Sequence, residues 1–166
     1  MIISLIVSIL LIVLYVGIST WRTRKIPESI SDMVYDLQKP WQWLWIVWIW
    51  SVSLLTFIPV IEVLSEKGME GIGFATLVCL MFVGAMPLTY REKNRPHYVF
   101  AVLGGIISQV CVALLSPYLL LAWLIVPVLI VSKGMACFDK NKVILAEGIC
   151  TVAEYMAMFF HIYNNY

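Results

Sequence analysis

Two glutamates and two histidines carry most of the chemistry available inside the apolar stretches of this chain. Glu147 and Glu154 lie in LAEGICTVAEYMAMFFH, residues 145 to 161, which His161 closes, and His97 opens another apolar stretch. A carboxyl placed in hydrocarbon is costly and marks a place where something is bound, moved or paired. With a histidine nearby it can serve as general acid or base, or as a metal ligand. It can also act more plainly, as a neutral hydrogen-bonding group that joins two helices. Glu147, Thr151, Glu154, Met158 and His161 recur at helical spacing, so they form one polar stripe along a helix. The two glutamates are seven positions apart, about 10 Å of rise, which predicts Glu147 near one membrane face and Glu154 near the midplane.

The elements that hold these residues must be membrane spans. Of the 166 residues, 62% are apolar and 13% charged, with a mean hydropathy of +0.93, outside the range of soluble domains. The charges cluster between long apolar runs, which leaves space for one membrane domain and no separate soluble one. Six segments are long enough, or nearly so: 2–18, 41–63, 72–88, 98–115, 118–131 and 143–163. Residues 98 to 131 cannot form one straight helix, because it would reach about 50 Å, so Ser116-Pro117 is read as a tight turn. The fifth segment is then short and contains Pro127. The predicted fold is all-α: a polytopic integral membrane protein, a six-transmembrane-helix bundle.

Charge sets the predicted orientation. Arg22, Arg24, Lys25, Lys39, Arg91, Lys93, Arg95, Lys133, Lys140 and Lys142 fall in the loops of one side, and Lys67 alone on the other. Under the positive-inside rule this puts both termini outside the cytoplasm of a bacterial inner membrane. The first apolar segment lacks a basic region before it, so it reads as a retained anchor.

The first basic loop has its own pattern. Ile30, Met33, Val34 and Leu37 share one face of SISDMVYDLQK, which predicts a short amphipathic helix on the membrane surface. Ser29 and Asp32 have the spacing of a capping box. Trp41, Trp43 and Trp45 then anchor the next span at headgroup depth. On the fourth segment His97, Ala101, Gly104, Ser108 and Cys111 share a face rich in small residues, a surface that lets the acidic stripe approach closely. His97 and Glu147 enter from the same side. The expected ligand-binding set is therefore Glu147, His97, Glu154, Asp32 and Ser29, converging near the cytoplasmic face, with the Ser29/Asp32 loop as a lid.

Other chemistries find little support. The cysteines, Cys79, Cys111, Cys137 and Cys150, show no CxxC spacing, and neither a disulfide nor a zinc site is expected. HExxH, GxSxG and Walker A motifs are absent. A net charge of +1 argues against nucleic acid as a partner. The expected partners are the lipid bilayer and, left open, further copies of the chain; the cofactor is left unknown. Three functions follow: binding of a lipid headgroup, a cation or a proton; a lipid-modifying enzyme using His97 and acidic residues, with Asp32 or Asp36, His97 and Glu147 as the ligand types a metal would need; or a structural protein whose polar stripe joins helices or subunits.

IPESISDMVYDL, followed by a tryptophan-rich span, MFVGAMPL and RPHYVFAVLGG, resembles a group of small six-span membrane proteins of bacteria and phages with an I-P-x-S-I-S loop. More remotely, a P-S-I-S loop and a histidine at a later span are similar to the Frag1/DRAM-like membrane proteins. That resemblance implies a role in lipid handling and draws attention to Ser29, Ser31, Asp32 and His97. Glu28 interrupts the P-S-I-S form, and the charge count places the loop on the side opposite to that group's.

Overall fold

The computed structural model describes residues 1–24, 27–89 and 95–165. Those residues form an all-α structure with six α-helices: α1 Ile2–Thr23, α2 Trp43–Ser65, α3 Glu70–Thr89, α4 Arg95–Leu115, α5 Ile125–Lys133 and α6 Met135–Asn165. Short 3-10 segments, Ser31–Asp36, Lys39–Trp41 and Pro117–Leu124, complete the described helical structure. Four stretches are long and apolar enough to cross a membrane: Ile2–Thr23, Lys39–Ser65, His97–Leu115 and Asn141–Asn165. Glu70–Met86 and Pro117–Lys133 are shorter apolar helices.

Helix ends follow local chemistry. α1 stops at Arg24, whose φ of 53° is left-handed and whose N–H bonds the Thr20 carbonyl, a helix stop usually reserved for glycine. Between α2 and α3 the chain reverses at Gly68, φ 66°, a backbone conformation open to a residue without a Cβ. The Met69 N–H returns to the Leu64 carbonyl there, satisfying one of the orphaned acceptors of α2. The expected turn at Ser116-Pro117 is present: Ser116 leaves the helical region, with φ −154° and ψ 73°. The fifth apolar segment then starts as eight 3-10 residues and continues as the nine residues of α5. The wider rise of 3-10 structure stretches this composite to about 30 Å despite its small residue count.

The helices pack in sequence, α1 on α2, α2 on α3 and α3 on α4, and α6 returns to close the bundle against α4, α2 and α1. Leu5, Val60, Val63, Leu64, Cys111, Tyr155, Met158 and Ile162 form the largest buried cluster, drawn from α1, α2, α4 and α6. Val112, Ala153 and Ala157 form another, on which Leu119 and Leu120 of the 3-10 segment dock. Outward faces are apolar too: Ile3 is 78% exposed and Val131 87%. Aliphatic side chains on both faces suit helices surrounded by lipid.

The small residues of α4 serve two neighbours. A Cβ on Gly104 would meet Cys79 of α3 at 3.2 Å, while one on Gly105 would meet Cys150 of α6 at 3.8 Å. The expectation that Gly104 faces the acidic stripe is therefore corrected: Gly104 admits α3, and Gly105 and Ser108 look toward α6. Gly84 makes the tightest approach, since a Cβ there would overlap the Ile49 side chain of α2.

Candidate functional site

Polar side chains gather at two levels. The first lies where the loop after α1 crosses the start of α4 and the first half of α6. The Ile30 N–H donates to Glu147 Oε2 at 2.6 Å. His97 Nε2 and Ser31 Oγ are 2.9 Å apart, and Ser29 and Ser31 share a hydrogen bond of 3.0 Å. The Ile144 N–H of α6 reaches the Glu28 carbonyl at 3.1 Å. Three bonds from two helices thus fix Glu28, Ile30 and Ser31, and Ser29 is tied to Ser31 within the loop. Glu147, His97 and Ser29, chosen from the sequence as candidates, do converge here. His97 and Glu147 each hold the loop, one through a serine hydroxyl and the other through a backbone amide.

The loop differs from its expected form. Ser31–Asp36 is a 3-10 segment rather than an α-helix, and the residue before it, Ile30, offers no side-chain cap. Ser29 Oγ meets Ser31 and the Ile30 amide is taken by Glu147, while the predicted Ser29/Asp32 capping box rests on a side chain outside the described residues. The apolar face is also not laid on lipid. Met33 and Val34 are 1% exposed, and Val34 packs with Trp45 and Ile49. Trp45, expected at headgroup depth as an anchor, is instead buried beside Tyr15 and Trp48. Two apolar residues in a row gain more from filling the gap above α2 than from skimming a membrane surface. The side chains of Asp32 and Asp36 lie outside the described residues.

The second level is mid-bundle. Glu154 on α6 is buried and accepts a 2.7 Å hydrogen bond from Ser108 Oγ on α4. Its carboxyl borders a small cavity shared with Ser53 and Thr56 of α2 and Thr76 of α3. These three hydroxyls each donate to the carbonyl four residues back in their own helix, so it is their oxygen lone pairs that remain for the cavity. The space at its centre suits about one water molecule. Thr56 also joins a hydroxyl cluster that spans three helices, with Tyr155 OH 2.6 Å from Thr56 Oγ1 and 2.5 Å from Ser8 Oγ.

The last residue of the polar stripe, His161, is at the opposite end of α6. Its Nε2 is 3.3 Å from Glu66 Oε2, beside the α2–α3 turn. Nearby, Lys67 Nζ donates to the Leu114 carbonyl at 2.7 Å and so caps α4. Among the described residues no three His, Cys, Asp or Glu side chains are arranged to hold a metal ion.

Ser8, Thr56 and Tyr155 are the participants that the sequence did not single out for a site, and Ser31 was marked only through the resemblance of its loop. Isolated serines and threonines in apolar helices carry a weak signal, since each can satisfy itself on its own backbone. Tyr155 adjoins Glu154, and only the packing of α6 on α1 and α2 reveals what its hydroxyl reaches. Comparison with protein families, with curated proteins and with solved structures gives no match for this chain.

Proposed function

We propose that the chain is a six-span protein of a bacterial inner membrane, both termini outside the cytoplasm, that binds a proton at Glu154 beneath a cover latched by Glu147 and His97. The observation that carries this reading is the setting of Glu154: a buried carboxyl with one hydroxyl donor and a cavity of water size lined by three more hydroxyls. An isolated carboxylate in such surroundings is very costly. Among the described residues no cationic side chain lies against Glu154, so its occupant is a proton or a cation from solution. A lipid headgroup is too large for the space. The composite of Pro117–Leu124 and α5 supports the fifth span through its reach of about 30 Å. Helix α3 is read as the third span. The same reading places the chain with the small bacterial and phage membrane proteins whose loop it resembles.

Infrared difference spectra of the purified chain in liposomes test the proposal through the C=O band of a protonated carboxylic acid. The expected result is a band abolished by Glu154→Gln, retained in Glu147→Gln and unchanged when potassium is replaced by sodium. Loss of the band in Glu147→Gln alone, or in neither variant, would sink the proton assignment. Displacement of the band by sodium would make Glu154 a cation site instead.

A second reading is favoured by one contact. Ser31 Oγ and His97 Nε2, 2.9 Å apart, have the separation of a nucleophile and its general base. That arrangement would suit an enzyme acting on lipid, with Ser31 attacking and His97 taking its proton.

A further inference from the structure

A groove runs between α1 and α2, on the outside of the bundle and apart from both glutamates. Leu11, Tyr15, Ile18 and Arg22 follow one face of α1, and Leu44, Val47 and Trp48 one face of α2. The helices are antiparallel, so the rim at Arg22 and Thr23 lies beside Leu37 and Leu44, on the basic side of the chain. The deep end is fixed by the Trp48 indole N–H, which donates to the Leu11 carbonyl at 2.9 Å. From Arg22 to Leu11 the groove follows α1 for about 17 Å. It offers about 410 Å³ of space open to one side, far more than the cavity at Glu154.

The two ends differ in chemistry. Below the rim the walls are aliphatic and aromatic but for Ser51, whose hydroxyl donates to the Val47 carbonyl, whereas the rim carries the Arg22 guanidinium with Ser19 and Thr23. The Thr23 hydroxyl donates to the Ser19 carbonyl, and Arg22 is the rim's charged donor. Arg22 is exposed and, among the described residues, pairs with no carboxylate. Arg24 adds a second positive charge one residue beyond the helix end. An apolar trough closed at headgroup depth by an unpaired guanidinium complements one acyl chain and the phosphate attached to it.

We propose that this groove binds one anionic phospholipid of the cytoplasmic leaflet, its acyl chain between α1 and α2 and its phosphate on Arg22. The net negative headgroup is specified by charge: the basic rim has no acidic residue among the described ones that line it. A zwitterionic headgroup would bring its own ammonium against the two arginines. Arg22 is preferred to a lysine in this role because its fork can hold two phosphate oxygens at once.

Native mass spectrometry of the full chain, released from micelles doped with equal phosphatidylglycerol and phosphatidylcholine, reads the outcome directly. One phosphatidylglycerol should be retained per chain, preferred about fivefold over phosphatidylcholine. Arg22→Gln should remove the preference while leaving total lipid retention similar. Val47→Trp, which fills the trough without touching charge, should lower retention of both lipids. Equal retention of the two lipids by the natural sequence overturns the proposal, as does a preference that survives Arg22→Gln. Retention unaltered by Val47→Trp also overturns it, because it would mean that lipid coats the bundle without entering the groove. Circular dichroism of each variant in the same micelles confirms that helix content is kept, so a lost lipid is not a lost fold.

Discussion

Glu147 and Glu154 occupy one helix about two turns apart, yet their partners belong to different kinds of structure. Glu147 bonds the amide of a loop residue, and the loop is held by three contacts to α4 and α6. Glu154 bonds a hydroxyl on a packed helix, and its neighbours are hydroxyls of three helices. The loop can leave its anchor by uncovering Met33 and Val34 and breaking its three contacts, a local opening that stops short of unfolding the bundle. A helix in the middle of a bundle cannot. Under the proposed function the same residue type is thus a releasable latch at one level and a fixed acceptor beside a water-sized cavity at the other. What separates the two is the partner, a loop amide for one and a hydroxyl on a packed helix for the other, rather than the chemistry of the acid.

The comparison is most directly broken at the mid-bundle level through Tyr155. Its hydroxyl ties α6 to Ser8 of α1 and Thr56 of α2. Tyr155→Phe keeps the ring and removes both bonds. Ser8 and Thr56 retain hydrogen bonds to the Leu5 and Val52 carbonyls, so neither is stranded. The expected loss is therefore about 1–2 kcal/mol of unfolding free energy, measured by denaturation in mixed micelles. A loss under a few tenths would mean that the hydroxyl cluster is incidental and that the middle of the bundle is no more rigid than its end.

Much of this arrangement could be read from residue order alone, and the exceptions have physical causes. Apolar length located the helices, and charge separated their ends. His97, Glu147 and Ser29 were legible as neighbours because each lies at a segment end on the basic side. The loop was misread because amphipathic periodicity shows that one face is apolar without saying whether lipid or protein covers it. Met33 and Val34 chose protein, and the segment tightened to 3-10 form to reach it. The split of α4's small face was equally hidden: Gly104 and Gly105 are adjacent in sequence, and only the packing angles decide which helix each one admits. The hydroxyl cluster was the least legible feature, since nothing in the sequence links Ser8, Thr56 and Tyr155.

At the loop level the corresponding change is Glu147→Ala. It removes the acceptor of the Ile30 amide while the Ile144–Glu28 and His97–Ser31 contacts remain. Global stability should fall by less than about 1 kcal/mol, whereas amide exchange at Ile30 and its neighbours should quicken on the order of tenfold. Hydrogen exchange read by mass spectrometry separates the two effects. If Glu147→Ala cost as much global stability as Tyr155→Phe, the loop would be part of the bundle's core and the latch description would fail.

Ser31→Ala is expected to do least, and for that reason it discriminates best between the two readings of the loop. Under the latch description it removes one contact to His97 and one to Ser29, and exchange across residues 27–37 should rise about threefold. Ser31 is 8% exposed and its oxygen is engaged by both neighbours. A serine-reactive phosphonate should consequently leave the natural protein unlabelled. Labelling that vanished in Ser31→Ala and fell in His97→Gln, with helix content intact, would show that the histidine activates the serine. The loop would then be the seat of a reaction, and the bond between Glu147 and Ile30 would serve to position a nucleophile rather than to close a cover.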